Sequence, residues 1–520
     1  SRRAEEKRPQ APQPAPHVRL IQGARRRHRG CDGRHIDGDA GRRSCKNPTA
    51  HGDSAIGGIL YGYAATAINY ALALLYVAFL TRYIPIDQYG YYNALIAAIG
   101  LVGMFFPTLG LDIAVAREGA AKHAERGNAT EHYVALLALS LTVSTAYATA
   151  AVALMPLYAS RGVPPEVLPA AYIYAAYILL AGVNDAFSNY LWMVGRVAAM
   201  AKGALIYSLT FRAAEIALIY SLRNVLAIPI AMAAGQAAAL AYYLAVSERP
   251  PNPARGFKLL KAGFPRYLKL GLQQWALAYI GTATAAAVTY LVYELLGPRP
   301  AALYGAAAYM AGLTGSFTAA VTNVFGSRAA RSTNPEAALR DYLRASTFAA
   351  ALIAQAAVAA APLLTLLGIV KGDYSDAVPY GAALMAAAVP GAATSLYAFY
   401  YWTTGRGTKA IAISAAGALT AVAATATLAA TAHTLYAPIA AAYLSSFTAL
   451  AMYAPRQLPT AAALTAPLAA TALLLPTWPA PQLAALAALT AAAYYAKPIP
   501  RAAASQLAAP LRTLLTPFTK

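Results

Sequence analysis

Charge is what this chain has least of. Asp, Glu, Lys and Arg make up 12% of its 520 residues, about half the roughly 25% found in soluble domains. A soluble chain of this length builds several domains, each needing a polar surface that these residues do not supply. Cysteine is almost absent: Cys31 and Cys45 are the only two, which excludes a disulfide framework. They sit near His28, His35 and His51, but at spacings that match no compact zinc motif, so no metal is expected. A Walker-type glycine loop, a His-Glu-x-x-His helix and a nucleophile elbow are all missing. The chain is therefore not expected to be an enzyme or to hold a cofactor.

Long apolar runs are what the chain does have. Hydrophobic residues make up 59% of it. From about Ile56 to Ala496 the sequence repeats one pattern, an apolar block of bilayer length followed by a short polar break. About 20 such residues cross a bilayer as a helix, and a helix satisfies its own backbone hydrogen bonds where lipid cannot. The expected fold class is all-α, a polytopic membrane protein of 12–14 transmembrane helices. The first six spans are placed at 56–80, 92–115, 133–157, 168–192, 203–222 and 225–246. The next six are 270–296, 302–325, 346–369, 378–402, 409–432 and 435–454. Two more follow at 459–477 and 482–496, joined through Pro476, Pro479 and Pro481.

The net charge of +21 would point a soluble protein towards nucleic acid. Here the basic residues lie in the loops and the N-terminal tail, where they report membrane topology instead, and no nucleic-acid partner is expected. With the N-terminus inside, the alternating inner loops and the C-terminal tail hold about 22 Lys and Arg. The outer loops hold five: Arg82, Arg161, Arg223, Arg299 and Lys371. Both termini are thus expected in the cytoplasm of a multi-pass cell-membrane protein. Residues 1–54, with the run Arg25, Arg26, Arg27 and Arg29, are expected to be a disordered basic tail. No signal peptide is read there. Two readings of the tail stand open, a segment translated from a misplaced start and a basic arm on anionic membrane lipids.

The basic segment 247–269 divides the first twelve spans into a lobe at 55–246 and a second at 270–454, with two added spans at 455–496 and a tail at 497–520. Six is even, so both lobes enter from one side. They also echo each other: Tyr89-Gly90 and Tyr304-Gly305 each precede a basic helix end by about two dozen residues, at Arg117 and at Arg328 and Arg331. This predicts two pseudo-symmetric six-helix bundles, the layout of parallel repeats in secondary transporters.

Phe79-Leu80-Thr81-Arg82-Tyr83-Ile84-Pro85-Ile86-Asp87-Gln88-Tyr89-Gly90 resembles the first outer loop of polysaccharide (O-antigen type) flippases, part of the multidrug/oligosaccharidyl-lipid/polysaccharide exporter superfamily. Thr108-Leu109-Gly110-Leu111-Asp112, Arg117-Glu118 and Gly263-Phe264-Pro265 also fit that family. The resemblance covers about residues 55–460. It implies two lobes that alternate access and a lipid-linked oligosaccharide turned from the inner to the outer leaflet. One departure is Asn323-Val324-Phe325-Gly326, where the family usually carries a proline. Two alternatives are weighed beside it: a cation-coupled exporter of drugs or metabolites, and a membrane-embedded glycan polymerase or ligase. The outer Asp373-Tyr374-Ser375-Asp376 loop is short for the latter.

Ionisable residues inside a span are functional candidates by default. Asn184 and Asp185 fall in span four, Arg212 and Glu215 in span five. Arg212 and Glu215 are three apart and share a helix face. Either they neutralise each other inside the bundle, or they line a wet cavity. In the second case Arg212 holds a pyrophosphate oxygen through its planar fork, with Asn184 as a further substrate contact. Asp185 or Glu215 then binds a coupling proton or sodium ion. Asp112, near the inner end of span two, where it could pair with Arg117, is read either as a solvated helix-end charge or as a third ion-coupling candidate. Arg82 and Arg266 are substrate candidates that interface anchoring and positive-inside topology explain equally well. Gln236, Gln273 and Gln274 are read as hydrogen-bonding links between helices. Tyrosine is frequent, 36 against 13 phenylalanines, and Tyr91, Tyr92, Tyr400 and Tyr401 are read as interface belts.

The charge bias makes a direct prediction. In a chain with Cys31 and Cys45 changed to Ser, cysteines introduced by Lys202→Cys and Lys409→Cys should react with an impermeant maleimide only after the membrane is opened. Arg161→Cys and Lys371→Cys should react in intact cells. The reverse pattern removes the assigned orientation.

Overall fold

The structure, a computed structural model, describes residues 72–106, 110–127, 129–247, 254–312 and 335–474. All regular structure among them is helical. The first half holds α1 Leu72–Tyr83, α2 Ile86–Gly103, α3 Leu111–Arg126, α4 Thr130–Ala153, α5 Met155–Ser160, α6 Pro169–Met193, α7 Val197–Leu222 and α8 Ala227–Val246. The second holds α9 Ala254–Leu296, α10 at 298–312, α11 Pro335–Leu366, α12 Ala377–Thr403, α13 Gly407–Ala432, α14 Tyr436–Tyr453 and α15 Leu458–Leu474. Seven of these are long and apolar enough to cross a membrane. The basic tail at 1–54, the Cys31–Cys45 region, Asn323–Gly326 and the span at 482–496 lie outside the described residues.

Within the first half α7 packs on α8, and α6 on both α4 and α8. Within the second, α13 packs on α14, and α12 on α11, α14 and α15. Lipid offers helices no hydrophobic reason to associate, so close packing of small residues carries the contact. α12 shows this: its buried face includes Ala382, Ala383, Ala386, Ala387 and Ala393.

Two of the helix connections are copies. Adding 210 to a residue number maps Trp192, Arg196 and Tyr243 onto Trp402, Arg406 and Tyr453. Gly195 and Gly405 take the left-handed conformation at φ 77° and 80°, which glycine adopts without a Cβ penalty. The next amide reaches back to Leu191 (2.8 Å) and to Tyr401 (2.7 Å). α7 and α13 both end on a left-handed non-glycine residue, Arg223 and His433. The Tyr243 hydroxyl donates to the Met200 carbonyl, and the Tyr453 hydroxyl to the Ala410 carbonyl. The correspondence thus runs through α7 and α8 and through α13 and α14 without insertion.

The core is distributed unevenly along the bundle. At the end reached by Tyr83, Ser160, Leu222 and Leu296, one continuous cluster joins both halves: Tyr76, Leu80, Tyr92 and Ile99 pack with Ala302, Ala306, Val370 and Ala383. At the opposite end the clusters separate. Val115, Tyr133, Leu136 and Leu191 form one in the first half, joined by Tyr267 of α9. Leu339, Leu343, Leu396 and Leu450 form another in the second. The two Tyr-Gly pairs explain part of the joined end. A Cβ on Gly90 would strike the Pro298 backbone, and one on Gly305 would strike the Asn93 side chain, so each glycine lets one half approach the other.

Two expectations need correction. The second span does not run unbroken to 115. α2 ends at Gly103, and α3 starts afresh at Leu111 behind Gly110, whose φ is +114°. Nor is 247–269 simply a loop, for α9 begins at Ala254 and is 43 residues long. Its first part is amphipathic. Leu259, Leu260 and Tyr267 face the first half at helical spacing and join that half's core, while Lys258, Lys261 and Lys269 are exposed. Counting basic residues hid the apolar stripe between them.

α3 and α9 meet where Gly110 and Gly271 touch backbone to backbone. Gly110→Ala should destabilise the protein by roughly 1–3 kcal/mol, from its φ alone, and more from the collision with Gly271. Gly281→Ala, where a Cβ meets nothing within 4 Å, is the control. Melting in detergent should fall for the first and hold for the second. Equal melting temperatures would refute the close contact.

Candidate functional site

Arg212 and Glu215 sit one turn apart on α7, just below the end where the halves share a core. Burying a carboxylate demands a partner, and Glu215 has one: Arg212 Nη1 lies 2.5 Å from its Oε2. The Glu215 side chain is 1% exposed and that of Arg212 17%. The guanidinium also lies over three rings: Phe211 at 4.4 Å, Tyr309 at 5.1 Å and Tyr76 at 5.5 Å. Tyr76 belongs to α1 and Tyr309 to α10, and their centroids are 4.9 Å apart. One half-buried cation therefore touches aromatic rings from both halves, an attraction that strengthens on desolvation.

A second polar group lies deeper in the first half. Asp112, buried at the start of α3, accepts from the Gly110 amide (2.8 Å) and from Asn189 Nδ2 (2.9 Å). Asp112 is therefore not a solvated helix-end charge: it is buried, with the Gly110 amide on one oxygen and Asn189 on the other. Asn184 donates to the Gln236 side chain (2.5 Å) and backbone (2.8 Å), which ties α6 to α8. Asp185 is exposed, yet it interacts electrostatically with Asp112, Tyr177 and Tyr243. These belong to α3, α6 and α8.

Arg82 and Arg266 do not join these groups. Arg82 is exposed and donates to the Gly368 carbonyl at 3.3 Å, beside the Thr81 hydroxyl on the Ile369 carbonyl. Both bonds tie the halves together at the joined end. Arg266 lies at the other end, paired with Glu118. Glu118 also meets Lys122 and the buried His132, each at 3.5 Å. It appears in the sequence only beside Arg117, and its role as a hub of three basic groups was not legible there.

None of these residues lines a large cavity in the second half. That space, about 650 Å³, lies between α9, α10, α12, α13 and α14. Its walls carry Thr284, Thr394, Ser395, Ser446, Trp402 and Tyr453. Sequence reasoning passed over it because hydroxyls and small residues inside an apolar span carry no charge to flag them.

A helical, two-half membrane bundle with a buried ion pair at the junction of its halves has the architecture of a polytopic transporter. The polysaccharide biosynthesis protein family matches the chain over residues 56–325, and the chain belongs to that family. A comparison with curated proteins finds no match. Among solved structures, the fold is similar to the lipid II flippase MurJ in an inward closed conformation. That likeness has 13% identity and a TM-score of 0.57, and covers 84% of this chain and 98% of that one. It is also similar to an inward-facing multidrug resistance MATE family transporter of the MOP superfamily, at 16% identity and a TM-score of 0.56, over 77% of this chain and 95% of that one. An outward-facing conformation of a transporter of that family matches at 17% identity and a TM-score of 0.53, over 78% and 94%. At these identities the likeness is one of fold.

The ion pair predicts a non-additive result. Arg212→Leu strands a buried carboxylate and should cost about 3–5 kcal/mol. Arg212→Leu combined with Glu215→Leu should recover most of that loss. Thermal unfolding of the two variants checks it; a double variant no more stable than the single would show that the pair is not the reason.

Proposed function

We propose that the chain is a flippase that carries a lipid-linked oligosaccharide from the inner to the outer leaflet by alternating access. One observation carries this reading: the halves share a core at one end and, apart from α9, keep separate cores at the other, with Arg212 at the base of the shared part. The lysine- and arginine-rich connections lie at the separated end. By the positive-inside rule that end faces the cytoplasm, and both termini are read as cytoplasmic. The geometry is then that of a transporter closed outside and parted inside.

In this reading a pyrophosphate entering from the cytoplasmic side reaches Arg212, whose fork suits two phosphate oxygens. It competes with Glu215 for the guanidinium, and Glu215 released from its partner takes up a proton or sodium ion. Binding is thereby linked to the Tyr76 and Tyr309 rings that hold the outer side shut. Asp185 and Asp112 form a second candidate station for a coupling ion, with Asn184 as a neutral hydrogen-bonding neighbour. Arg266 meets the phosphate or the headgroups of membrane lipids at the inner entrance, and Arg82 fastens the outer closure.

A second reading is a cation-coupled exporter of small amphiphiles. It is favoured by Asp185 and Asp112, two carboxylates in electrostatic reach of each other inside one half. The polymerase or ligase alternative rests on Asp373 and Asp376; Asp373 is engaged by Arg299 at 3.0 Å.

The readings separate in proteoliposomes. A fluorescent prenyl-diphosphate trisaccharide should become fully accessible to an impermeant reductant with the wild type. The Arg212→Leu/Glu215→Leu variant, kept stable by losing both charges, should leave about half protected. If the wild type protects as much as protein-free vesicles while a cationic dye moves down an imposed proton gradient, the exporter reading replaces the flippase.

A further inference from the structure

The 210-residue correspondence relates the large cavity to the charged site of the first half. Thr394 and Ser395 stand where the first half has Asn184 and Asp185. Ser446 stands for Gln236, Val422 for Arg212 and Thr425 for Glu215. Gly417 and Ala421 replace Tyr207 and Phe211, whose rings stack at 5.7 Å in the first half. One half fills this position with aromatic rings and charge. The other has removed both, and the space is the cavity.

What remains on its walls is specific. Among the described residues none of the lining side chains is charged, so the walls offer an ionic group no counter-charge. Thr284 donates to the Ile280 carbonyl, and Thr394 and Ser395 to that of Gly391. Each hydroxyl proton is thus spent on its own helix, and lone pairs are left as acceptors. Tyr453 is likewise spent on Ala410. Polar walls without charge suit a neutral ligand rich in hydroxyls. Trp402 and Tyr453 add flat aromatic faces, and the volume falls within the range of about 300–1,000 Å³ typical of ligand pockets.

We propose that the second-half cavity is a subsite for uncharged sugar residues of the transported lipid, while the first half handles the charged headgroup. The subsite rests on the flippase reading and assigns the glycan to a place within it. A plain hydrocarbon tail would gain no bond from the wall hydroxyls, whereas sugar hydroxyls can donate to their remaining lone pairs.

Two lipids test this on the full chain in nanodiscs: a prenyl diphosphate carrying a neutral trisaccharide, and the same prenyl diphosphate bare. The wild type should bind the glycosylated lipid at least about tenfold more tightly than the bare one. Ala421→Phe, which restores the ring of the first half, should erase that preference and leave affinity for the bare lipid unchanged. Thr394→Val with Ser446→Ala removes two hydroxyls with little change in volume and should reduce the preference even if Ala421→Phe fails to fold. A preference that survives in the folded variants overturns the subsite and leaves the flippase reading standing. Weaker binding of the bare lipid by Ala421→Phe assigns the cavity to the hydrocarbon chain and overturns the subsite as well. A wild type that binds neither lipid overturns the flippase reading and the subsite with it.

Discussion

The packing of α1 and α2 against α10 and the turn before α12 is the constraint on which the rest of this structure depends. It is apolar in its centre, where Leu80, Ile99 and Ala302 pack, and polar at its rim. There Thr81, Arg82 and Tyr374 hydrogen-bond across the halves, and Arg161 faces Glu294 at 3.5 Å. Opposing glycines, Gly90 and Gly305, set how closely the halves approach. At the other end α9 packs on α3 and α4 of the first half, while the cores of the two halves are separate there. A half-buried cation within reach of both halves is in a position to report, and to bias, whether they are closed.

Much of this was legible in the sequence, for reasons that can be traced. Bilayer-length apolar runs announce helices because no other structure satisfies the backbone in lipid. The Tyr89-Gly90 and Tyr304-Gly305 echo was visible because it marks a contact both halves must make. Arg212 and Glu215 could be paired because helix geometry alone brings residues three apart together. The failures have physical causes too. Asp112 could be read as a solvated helix-end charge near Arg117, but it caps the start of α3 and bonds Asn189 from another helix, and tertiary contacts of that kind leave no local trace. The first turns of α9 read as loop because their charges outnumber the stripe of Leu259, Leu260 and Tyr267.

The deeper repeat, from Trp192 and Trp402 to Tyr243 and Tyr453, escaped notice because it lies in geometry more than in identity. Arg196 and Arg406 follow glycines in the same left-handed conformation. The tyrosines of α8 and α14 bond equivalent carbonyls. Between these fixed points most side chains differ. A fold held by backbone turns and a few hydroxyl bonds leaves its interior free to diverge, since helices packed through small residues in lipid ask little of the remaining positions.

That freedom accounts for the difference between the halves. In the first, Tyr207 and Phe211 fill the interior and Arg212 brings a charge that only Glu215 and the surrounding rings make tolerable. In the second, Gly417, Ala421 and Val422 occupy the same register and leave space bounded by hydroxyls. A substrate with a charged headgroup and a neutral glycan presents two unlike chemistries to one transporter. A symmetric pair of sites would serve one of them well and expose the other to an unpaired charge or to apolar wall. On the proposed reading, two halves on one backbone plan, one charged and filled, the other neutral and hollow, would match both chemistries without altering the joined end. The asymmetry lies in side-chain volume and charge at equivalent positions, so it can be exchanged by substitution while the joined end stays intact.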